Sequence, residues 1–267
     1  MLSVLLSLLI AGSLMPTESS SDLIQGTSPV TSVTLTTPAQ NFAEPFTAVI
    51  HLALAPDWYL YWTNPGDAGL PLAVRWRLPD GFCAGELRFP TPEKIVHDDI
   101  IAYGYYRELI VLCTLTPPPG YRATAKDTLR ADVSWLVCSE SCIPGKASVT
   151  LPFSQAASVA PGASELVARF TRMEPGTLSD LGLSTGTAIA TRVGGELLVH
   201  IPLTGVIDDF YPDVIGDCVI DHKRIVVDTR GITIPVTPYD SSTVVTTVSG
   251  LAIVRGKGYR LQASLRR

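Results

Sequence analysis

LRADVSWLVCSESCIPGKASVTLPF, residues 129–153, opens and closes with stretches in which apolar side chains alternate with polar or small ones. A period of two is what a half-buried β-strand requires, because successive side chains point to opposite faces. Residues 129–137 and 147–153 are therefore expected as strands, joined by a connection that carries Cys138 and Cys142. The same signature recurs on the N-terminal side, in SVTLTT (32–37), FTAVIHLALA (46–55), LAVRWRL (72–78) and ELIVLCTL (108–115). Turn-forming clusters punctuate these runs: NPGDAG at 64–69, PDG at 79–81, PPPG at 117–120 and IPG at 143–145. With no helical period between them, strands at this spacing argue an all-β fold. The expectation for residues 29–153 is an immunoglobulin-like antiparallel β-sandwich rather than βαβ units.

Beyond residue 153 the pattern changes. Leu166, Val167, Phe170 and Met173 recur at helical spacing after Pro161-Gly162-Ala163-Ser164 and before Pro175-Gly176, so one linking helix is expected within 154–182. Alternating runs then return at 190–203, 218–228, 233–239 and 252–265, the first containing the hairpin signal Gly194-Gly195. They predict a second, smaller β domain over 183–267.

Residues 1–15, MLSVLLSLLIAGSLM, form an apolar run of the length of a signal-peptide core, with small residues at 11–13 and a polar stretch after it. Residues 1–22 are read as an export signal, although no Lys or Arg precedes the run; an uncleaved anchor is the other reading. No later segment reaches the apolar length of a membrane span, so stable insertion of the mature chain is not expected. Of the 267 residues, 46% are hydrophobic and 17% charged, enough apolar material for a packed core. A net charge of -5 without a basic run gives no footprint for nucleic acid.

Five cysteines stand at 83, 113, 138, 142 and 218. Only Cys138 and Cys142 are close in sequence; the other three lie in apolar or alternating segments and are expected as free, buried thiols, with a Cys83–Cys113 bridge possible only if their strands adjoin. In an extended chain the Cα atoms of Cys138 and Cys142 would be roughly 13 Å apart, too far to bond, so the intervening Ser-Glu-Ser must curl. As a staple such a ring is poor, since closing about five residues contributes only about 2 kcal/mol. As a redox device it is apt, because small exposed rings are reducible and the second thiol is held ready to resolve a mixed disulfide. A metal site is the third reading, with a thin case: zinc wants four ligands, and His51, His97, His200 and His222 are scattered. Spacing alone leaves the three open. Hydrolase chemistry lacks a motif, there being neither G-x-S-x-G nor H-E-x-x-H. Nor is there a C-x-x-C of thioredoxin type.

Taken together, DWYLYWTNPGDAGLPLAVRWRLPDGF (57–82), FPTPEKI (89–95), AYGYYRELIVLCTLTPP (102–118) and WLVCSESCIPGKASVTLP (135–152) resemble the periplasmic N-terminal domain of DsbD-like thiol:disulfide interchange proteins. The branch most similar is the one that includes the suppressor of copper sensitivity protein B, whose second β domain is matched by Phe210-Tyr211-Pro212. The resemblance implies an exported, periplasmic protein whose redox pair is Cys138 and Cys142. It implies electrons taken from a membrane-embedded thiol reductant and handed to periplasmic thioredoxin-like proteins, with no cofactor and no metal. Because the sequence ends at Arg267, without a membrane electron-transfer domain or a thioredoxin domain, the electron input is expected from a separate protein. A different class of function, a binding or assembly module with a structural disulfide and a role in copper tolerance, is the alternative. The aromatic residues near the motif either fill the core or cap the pair. Tyr61, Trp62, Asn64, Pro65, Gly66, Tyr103, Tyr105, Trp135 and Pro144 are the residues expected to cap or support it, with the loop from Asn64 to Gly69 as a lid.

Overall fold

The computed structural model describes residues 28–240 and 242–266; the expected export signal at 1–22 lies outside them. Ten strands build the first sandwich: β1 (Val30–Thr36), β2 (Phe46–Leu54), β3 (Tyr59–Gly66), β4 (Ala73–Arg77), β5 (Cys83–Arg88), β6 (Glu93–His97), β7 (Ile100–Tyr106), β8 (Glu108–Thr116), β9 (Thr128–Cys138) and β10 (Cys142–Pro152). One sheet has the order β1-β2-β8-β5, the other β10-β9-β3-β7-β6, with β4 also paired to β9. All these pairings are antiparallel. The inner faces bury Ile50, Leu52, Leu60, Trp62, Tyr103, Val111, Val133 and Val149 in one cluster. Period-two burial along β9, where Leu129, Ala131, Val133, Trp135 and Val137 point inward, matches the alternation of its sequence.

Helix α1 (Ala156–Met173) lies on the outside of the β1-β2-β8-β5 sheet. Its Phe170 is fully buried against Val49, Ile110 and Leu112, which are the outward residues of β2 and β8. Arg169 of the helix pairs with Glu108, which also accepts from His51 at 2.9 Å. The helix starts five residues ahead of the expected Pro161, which sits inside it. An internal proline removes a backbone bond; burial of Ala156, Ala160 and Ala163, small enough to let the helix lie close, compensates.

The second sandwich contains β11 (Gly176–Thr177), β12 (Ile189–Val193), β13 (Glu196–Pro202), β14 (Asp209–Pro212), β15 (Cys218–Ile220), β16 (Val226–Asp228), β17 (Gly231–Pro238), β18 (Thr247–Val254) and β19 (Lys257–Ser264). Its sheets run β11-β19-β18-β14 and β12-β13-β17-β15, with β16 on β17; the short β11–β19 pairing is parallel. The two sandwiches share buried surface, since Tyr211, Leu251 and Ile253 join the core cluster of the first. Polar contacts fix the junction. Asn64 Nδ2 donates to the Pro212 carbonyl at 2.8 Å, Lys94 pairs with Asp209 at 2.9 Å, and Tyr103 Oη shares a 3.2 Å hydrogen bond with His222 Nδ1.

Two expectations are corrected here. Ile143-Pro144-Gly145 is not a turn but the start of β10, paired with Val137, Leu136 and Trp135. Proline is admissible because β10 is the edge of its sheet. Glycine is required by the neighbour: a Cβ at 145 would lie 2.5 Å from the Trp135 indole, which lies across it. The cysteines outside the pair are free, but only Cys113 is buried; Cys83 is exposed and Cys218 partly so. β5 and β8 do adjoin, yet Cys83 faces Thr116 and Cys113 faces Leu87, so the register keeps those thiols apart.

Candidate functional site

The β9–β10 hairpin places Cys138 and Cys142 directly opposite each other across a three-residue loop. Their Cα atoms are 4.1 Å apart and the sulfurs are bonded. So short a separation marks a non-hydrogen-bonded strand pair, in which side chains approach most closely. The loop is held by Ser139 N–H donating to the Ser141 carbonyl at 3.1 Å, leaving Glu140 exposed at the tip.

The two cysteines differ in exposure. Cys138 is 1% exposed, whereas Cys142 is exposed. Cys138 sits on the outer face of its sheet in a small cluster with Tyr59, Tyr61, Ile95 and Ala102, edged by Tyr106 and Leu136. Strand β3 builds this wall by alternation: Tyr59 and Tyr61 point outward to the sulfur, Leu60 and Trp62 inward to the core. Tyr59 is also the cross-strand partner of Cys138. Tyr61 Oη donates to Cys138 Sγ at 3.0 Å and lies 3.8 Å from Cys142 Sγ and 3.5 Å from Tyr59 Oη. Burial, with the neighbouring Tyr59 hydroxyl second, pushes the Tyr61 phenol well above its ordinary range, so it stays protonated and available to donate.

Tyr61 is covered from outside by the segment after β3. A Cβ at Gly69 would fall 2.3 Å from the Tyr61 ring, and its φ of 119° is one only glycine adopts freely, so glycine lets the chain lie on the phenol. Pro71 bridges to Tyr61, and Asp67 anchors the segment by accepting from Ile101 N–H at 2.7 Å while its own N–H donates to the Ile101 carbonyl. Leu70 beside it is 63% exposed. Leu70, Pro71, Trp135, Pro144 and Gly145 line a shallow groove of about 440 Å3.

The residues expected around the pair therefore divide. Tyr61 touches the sulfurs, and Trp135 and Pro144 line the adjacent groove. Trp62, Tyr103 and Tyr105 do not form a cap: they are inward residues of β3 and β7, buried in the sandwich core, and Tyr105 donates to the Pro90 carbonyl at 2.9 Å. Asn64, Pro65 and Gly66 turn toward the second sandwich, lining a cleft with Ile215 and His222. The cover comes instead from Gly69 to Pro71. Leu70 and Pro71 are not among the residues expected there; Tyr59, one of the aromatic residues near the motif, lies beside Cys138, and its alternation with Tyr61 is the sequence signal for that wall. Among the described residues, no group of three or more His, Cys, Asp or Glu side chains could hold a metal ion, and no helix is long and apolar enough to cross a membrane.

Residues 32–154 match the family model described as the N-terminal domain of thiol:disulfide interchange protein DsbD. Among solved structures, the N-terminal periplasmic domain of ScsB from Proteus mirabilis superposes with a TM-score of 0.61 at 16% identity, covering 88% of this chain and 92% of that one. The likeness extends the shared fold to both sandwiches. The DsbD N-terminal domain of Neisseria meningitidis, in its reduced form, aligns at 13% identity over 45% of this chain and 83% of its own, with a TM-score of 0.30. No curated protein matches the chain.

Proposed function

We propose, for a chain whose residues 32–154 form a domain of the DsbD N-terminal family, that the Cys138–Cys142 pair relays electrons between other proteins by thiol–disulfide exchange. The observation that carries this reading is the unequal exposure of the two residues: Cys142 is exposed and Cys138 is covered. A thiolate of a reduced partner attacks Cys142 Sγ, forming an intermolecular disulfide, and Cys138 leaves as thiolate with the Tyr61 hydroxyl donating to it. The partner's second thiol then attacks its own sulfur in that bond, releasing Cys142. Two electrons have entered, two protons restore the thiols, and the partner departs as a disulfide. Donation runs the same steps backwards, with Cys142 again the sulfur shared with the partner.

The immunoglobulin-like character of the first sandwich belongs to this reading, as do a periplasmic location and the two kinds of partner. A membrane-embedded thiol reductant would charge the pair, and thioredoxin-like proteins would discharge it. Sulfur exchange supplies the chemistry without a cofactor.

The test is to trap each half. Cys138→Ser leaves an exposed Cys142 with no resolving thiol and should accumulate mixed disulfides with partner proteins, visible on non-reducing gels. Cys142→Ser leaves only the covered sulfur of the pair and, with Cys83 and Cys218 replaced by Ser in both variants, should accumulate few. Capture by neither variant, or capture only by Cys142→Ser, rules the scheme out. A reduction potential below about -300 mV would instead mark a structural staple.

A further inference from the structure

Strand register aligns a set of basic side chains with the disulfide. On the outer face of β9 and β10 the even-numbered residues point outward, so the line from Cys138 and Cys142 continues through Leu136 and Pro144 to Ser134 and Lys146, then to Asp132 and Ser148. β4 adds Arg75 opposite Asp132 and Arg77 opposite Arg130. Arg75, Arg77, Arg130 and Lys146 are all exposed, and neither α1 nor the second sandwich covers them. The one carboxylate among them, Asp132, is already committed to Arg77 at 2.8 Å, to Arg130 at 3.5 Å and to the Ser148 hydroxyl. Among the described residues Arg75 and Lys146 have no carboxylate partner.

The surface is a groove, not a convex face. A depression of about 540 Å3 lies over Arg75, Arg77, Asp132 and Ser148, and it shares Ser134 and Lys146 with the groove that reaches Trp135 and Pro144. Along the strand, at about 3.3 Å per residue, Lys146 lies roughly 13 Å and the level of Arg130 and Arg77 roughly 26 Å from the backbone of Cys142. This basic track stands on a chain of net charge -5.

We propose that the track is a docking surface for an acidic segment of the thiol-bearing partner protein, placed so that the partner's cysteine meets Cys142. The inference rests on the exchange reading above and adds the chemistry of the partner. Charge complementarity favours an anionic occupant, the length of the track exceeds any small anion, and its near end is continuous with the reactive sulfur. A partner with acidic side chains about four to eight residues from its cysteine satisfies both ends at once. The remaining acidic surface repels such a partner elsewhere, which orients its approach and raises the encounter rate.

The experiment uses the full exported chain in its oxidised form. Reduction is followed by mass spectrometry with three thiols: a cysteine peptide carrying glutamates about four to eight residues from the thiol, the same peptide with glutamines, and dithiothreitol. Each peptide's rate is divided by its rate with oxidised glutathione, to cancel differences in thiol reactivity. At low ionic strength the acidic peptide should react roughly fivefold or more faster than the amide peptide. The preference should vanish at high salt and in the Arg75→Gln, Lys146→Gln double variant, while dithiothreitol reacts equally with both proteins. Equal rates for the two peptides, or a preference the double variant retains, overturns the proposal. Failure of every thiol to reduce the pair would sink the exchange reading itself. Sedimentation with phosphatidylglycerol vesicles that the double variant abolishes, without any peptide preference, would assign the track to a lipid surface and overturn it too.

Discussion

The Tyr61 hydroxyl lies closer to Cys138 Sγ, at 3.0 Å, than to Cys142 Sγ, at 3.8 Å. It donates to a sulfur that must carry negative charge when the bond opens, and a hydrogen bond to a thiolate is stronger than one to a disulfide. Tyr61→Phe removes that donor while keeping the ring under Gly69. The reduced form then loses stabilisation, and the reduction potential should fall by about 10–30 mV at neutral pH. Opening by a small thiol should slow roughly threefold to tenfold. Equilibration with glutathione, read after alkylation, measures the first; stopped-flow fluorescence measures the second. An unchanged potential would make Tyr61 a space-filling residue. The cysteine pair was legible in the sequence because proximity in the chain suffices to suggest it. Tyr61 was named, but its closer approach to Cys138 than to Cys142 was not, because that depends on which face of β3 meets β9.

At the scale of elements, the β9–β10 hairpin sets the site, and its edge depends on Trp135 lying over Gly145. Gly145→Val would drive a side chain into the indole and should destabilise the fold by about 1–3 kcal/mol, measured by urea denaturation. The near-ultraviolet circular dichroism of the tryptophans should weaken with it. If stability is unchanged, the indole has an alternative seat and the contact is dispensable. The runs of β1 and β9 were readable because they alternate with one face buried; those of β2 and β8, buried on one side by the core and on the other by α1, were readable as apolar, β-branched stretches. β5, β6 and β7 were not, for physical reasons: β5 is almost wholly exposed, β6 is short and mostly exposed, and β7 is buried from Ile101 to Tyr105, so its burial does not alternate. The Pro-Gly in β10 reads as a turn from sequence because local chemistry favours one; pairing along an open edge and packing on Trp135 outweigh it.

For the whole molecule, the junction between the sandwiches holds a histidine that is costly to protonate. Burial lowers the affinity of His222 for a proton; Asp67 and Asp221 act in the opposite direction without overcoming it, and Lys94 adds to the lowering. With the folded-state pKa below the unfolded value of 6.5, the unfolded chain binds the proton more readily. Stability from this residue is therefore complete above about pH 6.5 and is lost as pH falls through the lower, folded-state value. The thermal midpoint should decline between pH 7 and pH 5, and His222→Gln, which does not titrate, should flatten that part of the profile. A decline of equal steepness in the variant would place the acid sensitivity elsewhere. Two β modules and a helix were visible in the sequence, and their packing was not. Nor was the basic track, since Arg75, Arg77, Arg130 and Lys146 are scattered along the chain and converge only through strand register.

Pro144 shares the pairing class of Cys142, so its nitrogen faces the open border of the sheet, where it has no hydrogen to offer. An incoming chain cannot zip onto that border beside the sulfur, as unprotected strand edges invite. Under the proposed exchange, a client would then be joined chiefly by the transient covalent link and by contacts on the face of the sheet. Once such a link is exchanged, no continuous ladder would delay departure, a property that fits the carrier role proposed above.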